Sequence, residues 1–142
     1  CLIAEQQDSH TVNTFFRGAD TCVVTSLHDG MNLVAKEFVA ARDDDQGVLI
    51  LSRFAGAASE LPEALIVNPY HVEETADALY RALNMSSEEQ GERMKSLRTI
   101  VRAYNVYRWA GRMLIDAAQI RQRERIAARV GTSVQEQLND AV

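Results

Sequence analysis

Short apolar runs, separated by polar turns and by segments of helical periodicity, fill the first half of the chain. Four runs have the length and the bounding turn residues of buried strands: residues 1–4, 21–25, 48–51 and 64–67. Between the first three runs, residues 10–18 and 33–41 carry apolar side chains at helical spacing. Strands that alternate with helices over short connections predict an α/β fold with a parallel sheet and right-handed crossovers.

The second half of the chain predicts helices. Apolar residues recur at helical spacing over residues 72–83, and Ser86 or Ser87 can cap a helix that reaches residue 104. A last helix is predicted from about residue 106 to residue 130, where a Gly-Thr-Ser sequence follows. Residue 9, a serine, is the predicted N-cap of the first helix, because serine oxygens accept from N–H groups of the first turn.

Composition limits the classes of partner. The 142 residues are 46% hydrophobic and 25% charged, as in a globular domain, and the net charge of -5 argues against a general nucleic-acid surface. No apolar run approaches the roughly 18 residues of a membrane span. Cys1 and Cys22 lack metal-type spacing, which predicts buried reduced thiols and a cytoplasmic location. Because an apolar run already begins at Cys1, we expect a piece of a larger protein.

The stretch from residue 21 to residue 42 offers candidate chemistry. It predicts a strand, a polar loop with Asp29 and Gly30, and a helix that begins at Leu33. In parallel sheets, ligands bind beyond the carboxyl ends of strands, and helix starts bind phosphate. Glu37 follows one turn into the helix. The stretch therefore predicts an acceptor for hydroxyl groups, a phosphate cradle and a second carboxylate, although helix capping alone would also explain both acidic residues.

Four blocks of sequence resemble one enzyme family. The blocks, in chain order and with the gaps that the family shows, are Asp29-Gly30-Met31-Asn32-Leu33-Val34-Ala35-Lys36-Glu37, residues 47–52, residues 54–58 and residues 64–70. They resemble the donor-binding half of trehalose-6-phosphate synthases and of related glucosylglycerol-phosphate synthases. The resemblance implies a GT-B enzyme, in which two Rossmann-like domains face each other across a cleft. Residues 1–84 would form the latter half of the second, nucleotide-sugar-binding domain, and residues 85–142 a helical segment packed on it.

The resemblance assigns the sugar end of the donor to the loop. Asp29 would be the catalytic residue, and its carboxylate would accept hydrogen bonds from glucose hydroxyls. The backbone N–H groups of Gly30, Met31 and Asn32 would contact the sugar. Residue 28 is a histidine where many family members have arginine, so the contact at His28 is expected to differ.

The resemblance assigns the diphosphate and the nucleoside of the donor to the two helices. By resemblance, the backbone N–H groups of Leu33 and Val34 would contact the diphosphate, Glu37 would hold the ribose hydroxyls, and Val12 would pack near the base. The small residues at 56–58 allow close backbone approach, either to the ligand or in tight packing within the protein.

The resemblance also implies the reaction and its partners. Glucose would pass, with retention, from UDP-, ADP- or GDP-glucose to a sugar phosphate, most simply glucose 6-phosphate, by front-face displacement without a metal or a cofactor. Glycerol 3-phosphate is the competing acceptor. An N-terminal domain that is missing from the chain would supply the basic residues for the donor phosphates, and a homo-oligomer is possible through the uncovered apolar surface.

Three other interpretations stay open on the sequence alone. A non-catalytic nucleotide-sugar-binding module would keep the same loop. A dinucleotide-binding oxidoreductase is disfavoured, because no Gly-x-Gly-x-x-Gly motif follows a strand. The acidic run at residues 43–45 could suggest a metal site, but it precedes a strand and so lies at the edge of the sheet opposite to the ligand edge.

Overall fold

The computed structural model describes residues 5–104 and 106–139, and these form an α/β fold around a parallel sheet. The three strands lie in the order β1-β2-β3. The elements along the chain are α1 (Ser9–Gly18), β1 (Thr21–Val24), α2 (Leu33–Ala41), β2 (Val48–Ser52), a 3₁₀ turn (Gly56–Ser59), β3 (Leu65–Val67), α3 (Val72–Leu83), α4 (Ser87–Ala103) and α5 (Val106–Asn139). The predicted strand at residues 1–4 lies outside the described residues.

The central strand β2 is buried along its whole length because helices cover both faces of the sheet. Leu49 and Leu51 point to one face, in a cluster with the apolar side chains of α2 and α4. Val48 and Ile50 point to the other, in a cluster with β3 and α3. Because both faces of β2 are covered, the run at residues 48–51 is continuously apolar. The cluster on the first face packs α2 against the sheet.

Most predicted boundaries agree with the structure to within a residue, and α2 begins and ends as predicted. The predicted N-cap of α1 is wrong. Asp8 is the cap, and its carboxylate accepts from the N–H of Thr11 at 2.7 Å, whereas Ser9 is already helical. A carboxylate at this position also interacts favourably with the helix dipole.

Two compact units divide the chain, residues 1–103 and residues 104–142. Within the first unit, Met94 and Leu97 of α4 are buried in the cluster beneath α2. The second unit contains α5, which continues through Gly131 to Asn139, so the predicted end at residue 130 is wrong. A single glycine costs a helix only about 1 kcal/mol, which the neighbouring turns can absorb. The predicted domain boundary at residue 84 stays a prediction.

The polar turn between α2 and β2 is only partly exposed. Asp43 and Asp44 are exposed, but Arg42 and Gly47 are buried. Each aspartate of the turn binds a different arginine: Asp43 binds Arg17, Asp44 binds Arg42, and Asp45 binds Arg98. The turn is therefore a junction of α1, α2 and α4 at the amino edge of the sheet.

Candidate functional site

The loop after β1 is organised around the carboxylate of Asp29. Its Oδ1 atom accepts from the backbone N–H groups of Met31 at 3.1 Å and Asn32 at 2.9 Å. Its Oδ2 atom accepts from the Asn32 side-chain amide at 2.9 Å. A carboxylate has about four lone-pair sites, so these bonds leave room for one further donor, such as a hydroxyl group.

These hydrogen bonds also set the charge of Asp29. Its pKa lies below the ordinary value, first because the Met31 N–H donates to the carboxylate, and then because the Asn32 side chain does. The carboxylate is therefore ionised at neutral pH. Since Met31 and Asn32 already donate to Asp29, their predicted contacts with a sugar stay predictions and would require shared or exchanged hydrogen bonds.

The start of α2 presents two backbone donors. Asn32 is a buried N-cap in the left-handed region, with φ 63°, and its side-chain oxygen accepts from the Ala35 N–H at 2.9 Å. The N–H groups of Leu33 and Val34 precede Ala35, and neither has an acceptor among the described residues. With the positive end of the helix dipole, they suit an anion such as a diphosphate.

The loops that follow β1 and β2 are bonded to each other. Asp29 and Ala55 form a parallel bridge, in which the Gly56 N–H donates to the Asp29 carbonyl at 2.8 Å. The Ala57 N–H donates to the Met31 carbonyl at 2.9 Å. A Cβ atom on Gly56 would lie 2.1 Å from the Gly30 carbonyl oxygen, so this approach requires glycine. The predicted close approach thus occurs between two loops of the protein.

Gly30 faces open space. A Cβ atom built on it would meet no heavy atom within 4 Å. The backbone beside Asp29 is consequently accessible from outside, which is the condition for the predicted contact between the Gly30 N–H and a sugar. That contact stays a prediction.

A cavity of about 470 Å³ lies between α1 and α2 and contains two of the predicted site residues. Val12 lines it from α1, and Glu37 lines it from α2. The other lining residues are Gln7, Ser9, Asn13, Phe16, Arg17, Ala40, Ala41 and Asp43. Sequence reasoning did not assign these to the site, although Val12 and Phe16 are one helical turn apart and both apolar, which indicates a shared face.

The remaining candidates do not join the site by direct contact. His28 is exposed next to Asp29, and its charge is the smallest of the influences that lower the pKa of Asp29. Cys22 is half-buried, and desolvation raises the pKa of its thiol to about 11.

Among residues 5–104 and 107–124, no three His, Cys, Asp or Glu side chains gather in an arrangement that could hold a metal ion. Nor is any helix in that part of the chain long and apolar enough to cross a membrane.

A parallel sheet flanked by helices, with an open helix start at its carboxyl edge, defines an α/β domain of the Rossmann-like type. The model of glycosyltransferase family 20 matches residues 1–119. The chain belongs to that family.

Curated relatives include the trehalose-6-phosphate synthase of Mycolicibacterium gilvum (strain PYR-GCK), which is 53% identical over 108 residues, or 76% of this chain and 21% of the relative. The glucosylglycerol-phosphate synthase of Picosynechococcus sp. (strain PCC 7002) is 48% identical over 103 residues, or 72% of this chain and 21% of the relative. The chain thus spans about a fifth of the length of these relatives.

Solved structures confirm the predicted fold class. The chain matches the trehalose-6-phosphate synthase OtsA with a TM-score of 0.77 and 46% identity, over 81% of this chain and 25% of that one. It matches the Burkholderia xenovorans α,α-trehalose-phosphate synthase (UDP-forming), determined in complex with glucose-6-phosphate, with a TM-score of 0.77 and 46% identity, over 80% of this chain and 26% of that one. These neighbours have the GT-B architecture.

Proposed function

We propose that the chain forms the donor-binding part of a retaining glucosyltransferase. The enzyme moves glucose from a nucleotide sugar to glucose 6-phosphate and gives trehalose 6-phosphate. The observation that carries this proposal is the Asp29 loop joined to an open helix start, on a chain that is 53% identical to a trehalose-6-phosphate synthase. Since the chain spans a fifth of that relative, the activity belongs to a larger assembly.

The glucose and the diphosphate bind at the carboxyl edge of the sheet. The ionised Asp29 accepts from a glucose hydroxyl through its remaining lone pair, and the backbone of Gly30, Met31 and Asn32 lies against the sugar. The diphosphate lies on the N–H groups of Leu33 and Val34, where the helix dipole stabilises the negative charge that develops as the diphosphate leaves.

The nucleoside occupies the cavity between α1 and α2. Glu37 lies about 6 Å further along the helix axis than Leu33, from a rise of 1.5 Å per residue. Its exposed carboxylate can accept from both ribose hydroxyls, while Val12 on the facing wall packs near the base. The experiment below determines whether the base of the donor is uracil, adenine or guanine.

The reaction is a front-face displacement. The bond between the anomeric carbon and the diphosphate oxygen breaks, and the acceptor hydroxyl forms a new bond on the same face. The proton of that hydroxyl passes to the departing diphosphate, so no carboxylate nucleophile is needed. In this chain the residues orient the donor and stabilise the leaving charge. We propose that a second Rossmann-like domain supplies the basic phosphate ligands and the acceptor site.

The test is a chimera in which this chain replaces the matching part of the Mycolicibacterium gilvum synthase. Release of nucleoside diphosphate is measured from UDP-, ADP- and GDP-glucose, with glucose 6-phosphate or glycerol 3-phosphate as acceptor. Asp29→Ala and Glu37→Ala should each lower kcat/KM about a hundredfold or more, as expected for lost positioning. Asp77→Ala and Glu92→Ala, which change exposed carboxylates on α3 and α4, are the matched controls and should leave kcat/KM unchanged.

Two outcomes would redirect the proposal. Release that requires glycerol 3-phosphate would support a glucosylglycerol-phosphate synthase, which the 48% identity to such an enzyme favours as the second candidate. Donor binding without release for any pair would support a non-catalytic nucleotide-sugar-binding module.

We also propose a cytoplasmic location. Cys22 is a free thiol in the structure, and free thiols persist in reducing compartments. Cell fractionation with detection of the native protein tests this, and recovery in an extracytoplasmic fraction would contradict it.

A further inference from the structure

Helix α1 contacts the rest of the protein mainly through α2. None of its residues is buried. The ring of Phe16 packs edge-to-face on Phe38 of α2, with 6.0 Å between ring centroids, and Arg17 forms an exposed ion pair with Asp43. Exposed ion pairs contribute little to stability. A further interaction holds the C-terminal end of α1.

Arg42 provides that interaction. It is the C-cap residue of α2 and only 5% exposed. Its Nη1 atom donates to the carbonyl oxygens of Phe16 at 3.1 Å, Arg17 at 2.8 Å and Ala19 at 2.6 Å, which are the last carbonyls of α1 and the residue after it. Carbonyls at the end of a helix lack intrahelical donors and carry the negative end of the dipole, so a buried guanidinium suits them.

The other side of the guanidinium is fixed by Asp44. The Nε atom of Arg42 donates to Asp44 Oδ1 at 3.1 Å, and Nη2 donates to Oδ2 at 3.0 Å. Bidentate pairing of this kind sets the plane of the guanidinium. Gly47, with φ 97°, leaves room for the group, since a Cβ atom there would lie 3.3 Å from Arg42 Cζ. One rigid side chain thus ties the end of α1 to the end of α2.

The cavity between these two helices depends on the same tie. Val12 and Glu37 lie on its opposite walls, on α1 and α2 respectively. Val12 is more than a helical turn from the carbonyls that Arg42 binds, so rotation of α1 about its C-terminal end would displace Val12 relative to Glu37. The side chain of Arg42 is not among the cavity-lining residues, so it acts on the cavity through the elements that it holds, which are α1 and the turn that contains the lining residue Asp43.

We propose that Arg42 is a positioning residue that sets the spacing of α1 and α2 and thereby the affinity for the nucleoside end of the donor. This inference rests on the proposed function. It assigns to the turn at residues 42–47 a role in donor binding, although the turn lies at the sheet edge away from the Asp29 loop.

The experiment uses the chimera with three variants and one control. Arg42→Met removes every polar contact of the side chain. Arg42→Lys keeps a cation near the α1 carbonyls but cannot also pair in a bidentate manner with Asp44. Asp44→Ala keeps the carbonyl contacts and releases the plane of the guanidinium. Arg98→Met is the matched control, because Arg98 lies on α4 and binds another aspartate of the same turn, Asp45, and not the carbonyls of α1.

Donor KM, kcat and hydrogen exchange of the α1 amides are measured together. We expect Arg42→Met to raise the donor KM about tenfold or more with a smaller change in kcat, and to speed exchange in α1. Arg42→Lys and Asp44→Ala should also raise the donor KM, but by less than Arg42→Met does. Arg98→Met should leave the donor KM and α1 exchange unchanged.

An unchanged donor KM in Arg42→Lys and Asp44→Ala would overturn the inference, even if Arg42→Met does not fold. A rise in KM for Arg98→Met equal to that for the Arg42 variants would also overturn it, because the effect would then reflect general loss of stability. If the wild-type chimera neither binds nor releases any nucleotide, the proposed function itself fails, and the positioning role fails with it.

Discussion

Among the glycines of the described residues, Gly56 has the least space for a Cβ atom. The Cβ atom of Gly56→Ala would lie 2.1 Å from the Gly30 carbonyl oxygen and 2.7 Å from its carbon, and both are backbone atoms that cannot rotate away. We expect this substitution to lower the free energy of unfolding by about 1–3 kcal/mol, as overpacking does. Urea unfolding measures the change.

Gly18→Ala is the matched control, because a Cβ atom on Gly18 meets nothing within 4 Å. The control should leave the free energy of unfolding unchanged or raise it by up to about 1 kcal/mol, because Gly18 lies in α1 and alanine is the better helix former. Equal effects of the two substitutions would show that the approach of the two loops is not close in solution.

The Asp29 carboxylate predicts a dependence of stability on pH. Its pKa in the folded protein lies below the reference value of 3.8, because Met31 and Asn32 donate to the ionised form. Its contribution to stability is therefore fully present above the unfolded pKa and is lost as pH falls through the folded pKa. Comparing the wild type with Asp29→Asn across acidic pH isolates this contribution from that of Asp8 and Glu89, whose pKa values are also lowered.

We expect the difference in unfolding free energy between wild type and Asp29→Asn to be constant at neutral pH and to shrink as pH falls below about 3.8. A difference that does not depend on pH would mean that the carboxylate is not hydrogen-bonded as described.

At the residue scale, sequence reasoning succeeded where the determinant is local. Leu33 begins α2 as predicted, because a polar loop and an Asn N-cap precede an apolar-periodic segment. The burial of Arg42 could not be predicted, since the carbonyl oxygens that it binds belong to residues 23, 25 and 26 positions earlier in the chain. The carboxylate of Asp29 is a different case, because its partners Met31 and Asn32 are close in sequence but were predicted to contact a sugar.

At the scale of elements, α4 is the helix whose packing can be tested most directly. Leu97 on α4 is 2% exposed and lies in the cluster beneath α2. Leu97→Ala should lower the free energy of unfolding by about 2–5 kcal/mol, the cost of a cavity in a packed core. Leu83→Ala is the matched control, because Leu83 on α3 is 72% exposed, and its effect should be about 0.5 kcal/mol or less.

Both values come from urea unfolding of the same chain. If Leu97→Ala costs no more than Leu83→Ala, α4 does not belong to the core of the first unit. The comparison therefore tests how α4 packs. The helical periodicity of α4 was evident from the sequence, but its contact with the face of the sheet that α2 covers was not.

The strands and helices of the sheet domain were predictable because each carries its own pattern. The run at residues 48–51 is continuously apolar, which is typical of a strand covered on both faces, and β2 is such a strand. The ends of the helices were harder to predict from the sequence. Asp8 and Ser9 are both good caps, and α5 continues past Gly131, which local propensity alone would place near a helix end.

For the molecule as a whole, exposed apolar side chains at the carboxyl edge of the sheet predict self-association of the isolated chain. Phe54 is 41% exposed and Tyr70 is 68% exposed, and their rings pack edge-to-face at 5.9 Å. Exposed apolar groups that lie together favour association. Light scattering over a wide concentration range should show oligomers that the double substitution Phe54→Ser and Tyr70→Ser reduces.

Tyr80→Ser is the control for this prediction, because Tyr80 is 73% exposed on α3, and it should leave association unchanged. A monodisperse monomer of the wild-type chain at all concentrations would contradict the prediction.

The backbone bridge between Asp29 and Ala55 has a consequence for how this region can change during evolution or engineering. Its bonds join main-chain atoms, so the path of the loop does not depend on which side chains its exposed residues carry. Leu27, His28 and Phe54 are exposed and can be varied to retune what the loop accepts, while Gly56 must be retained. The loop therefore combines a fixed frame with interchangeable side chains, and a library randomised at those three positions is the natural route to altered selectivity.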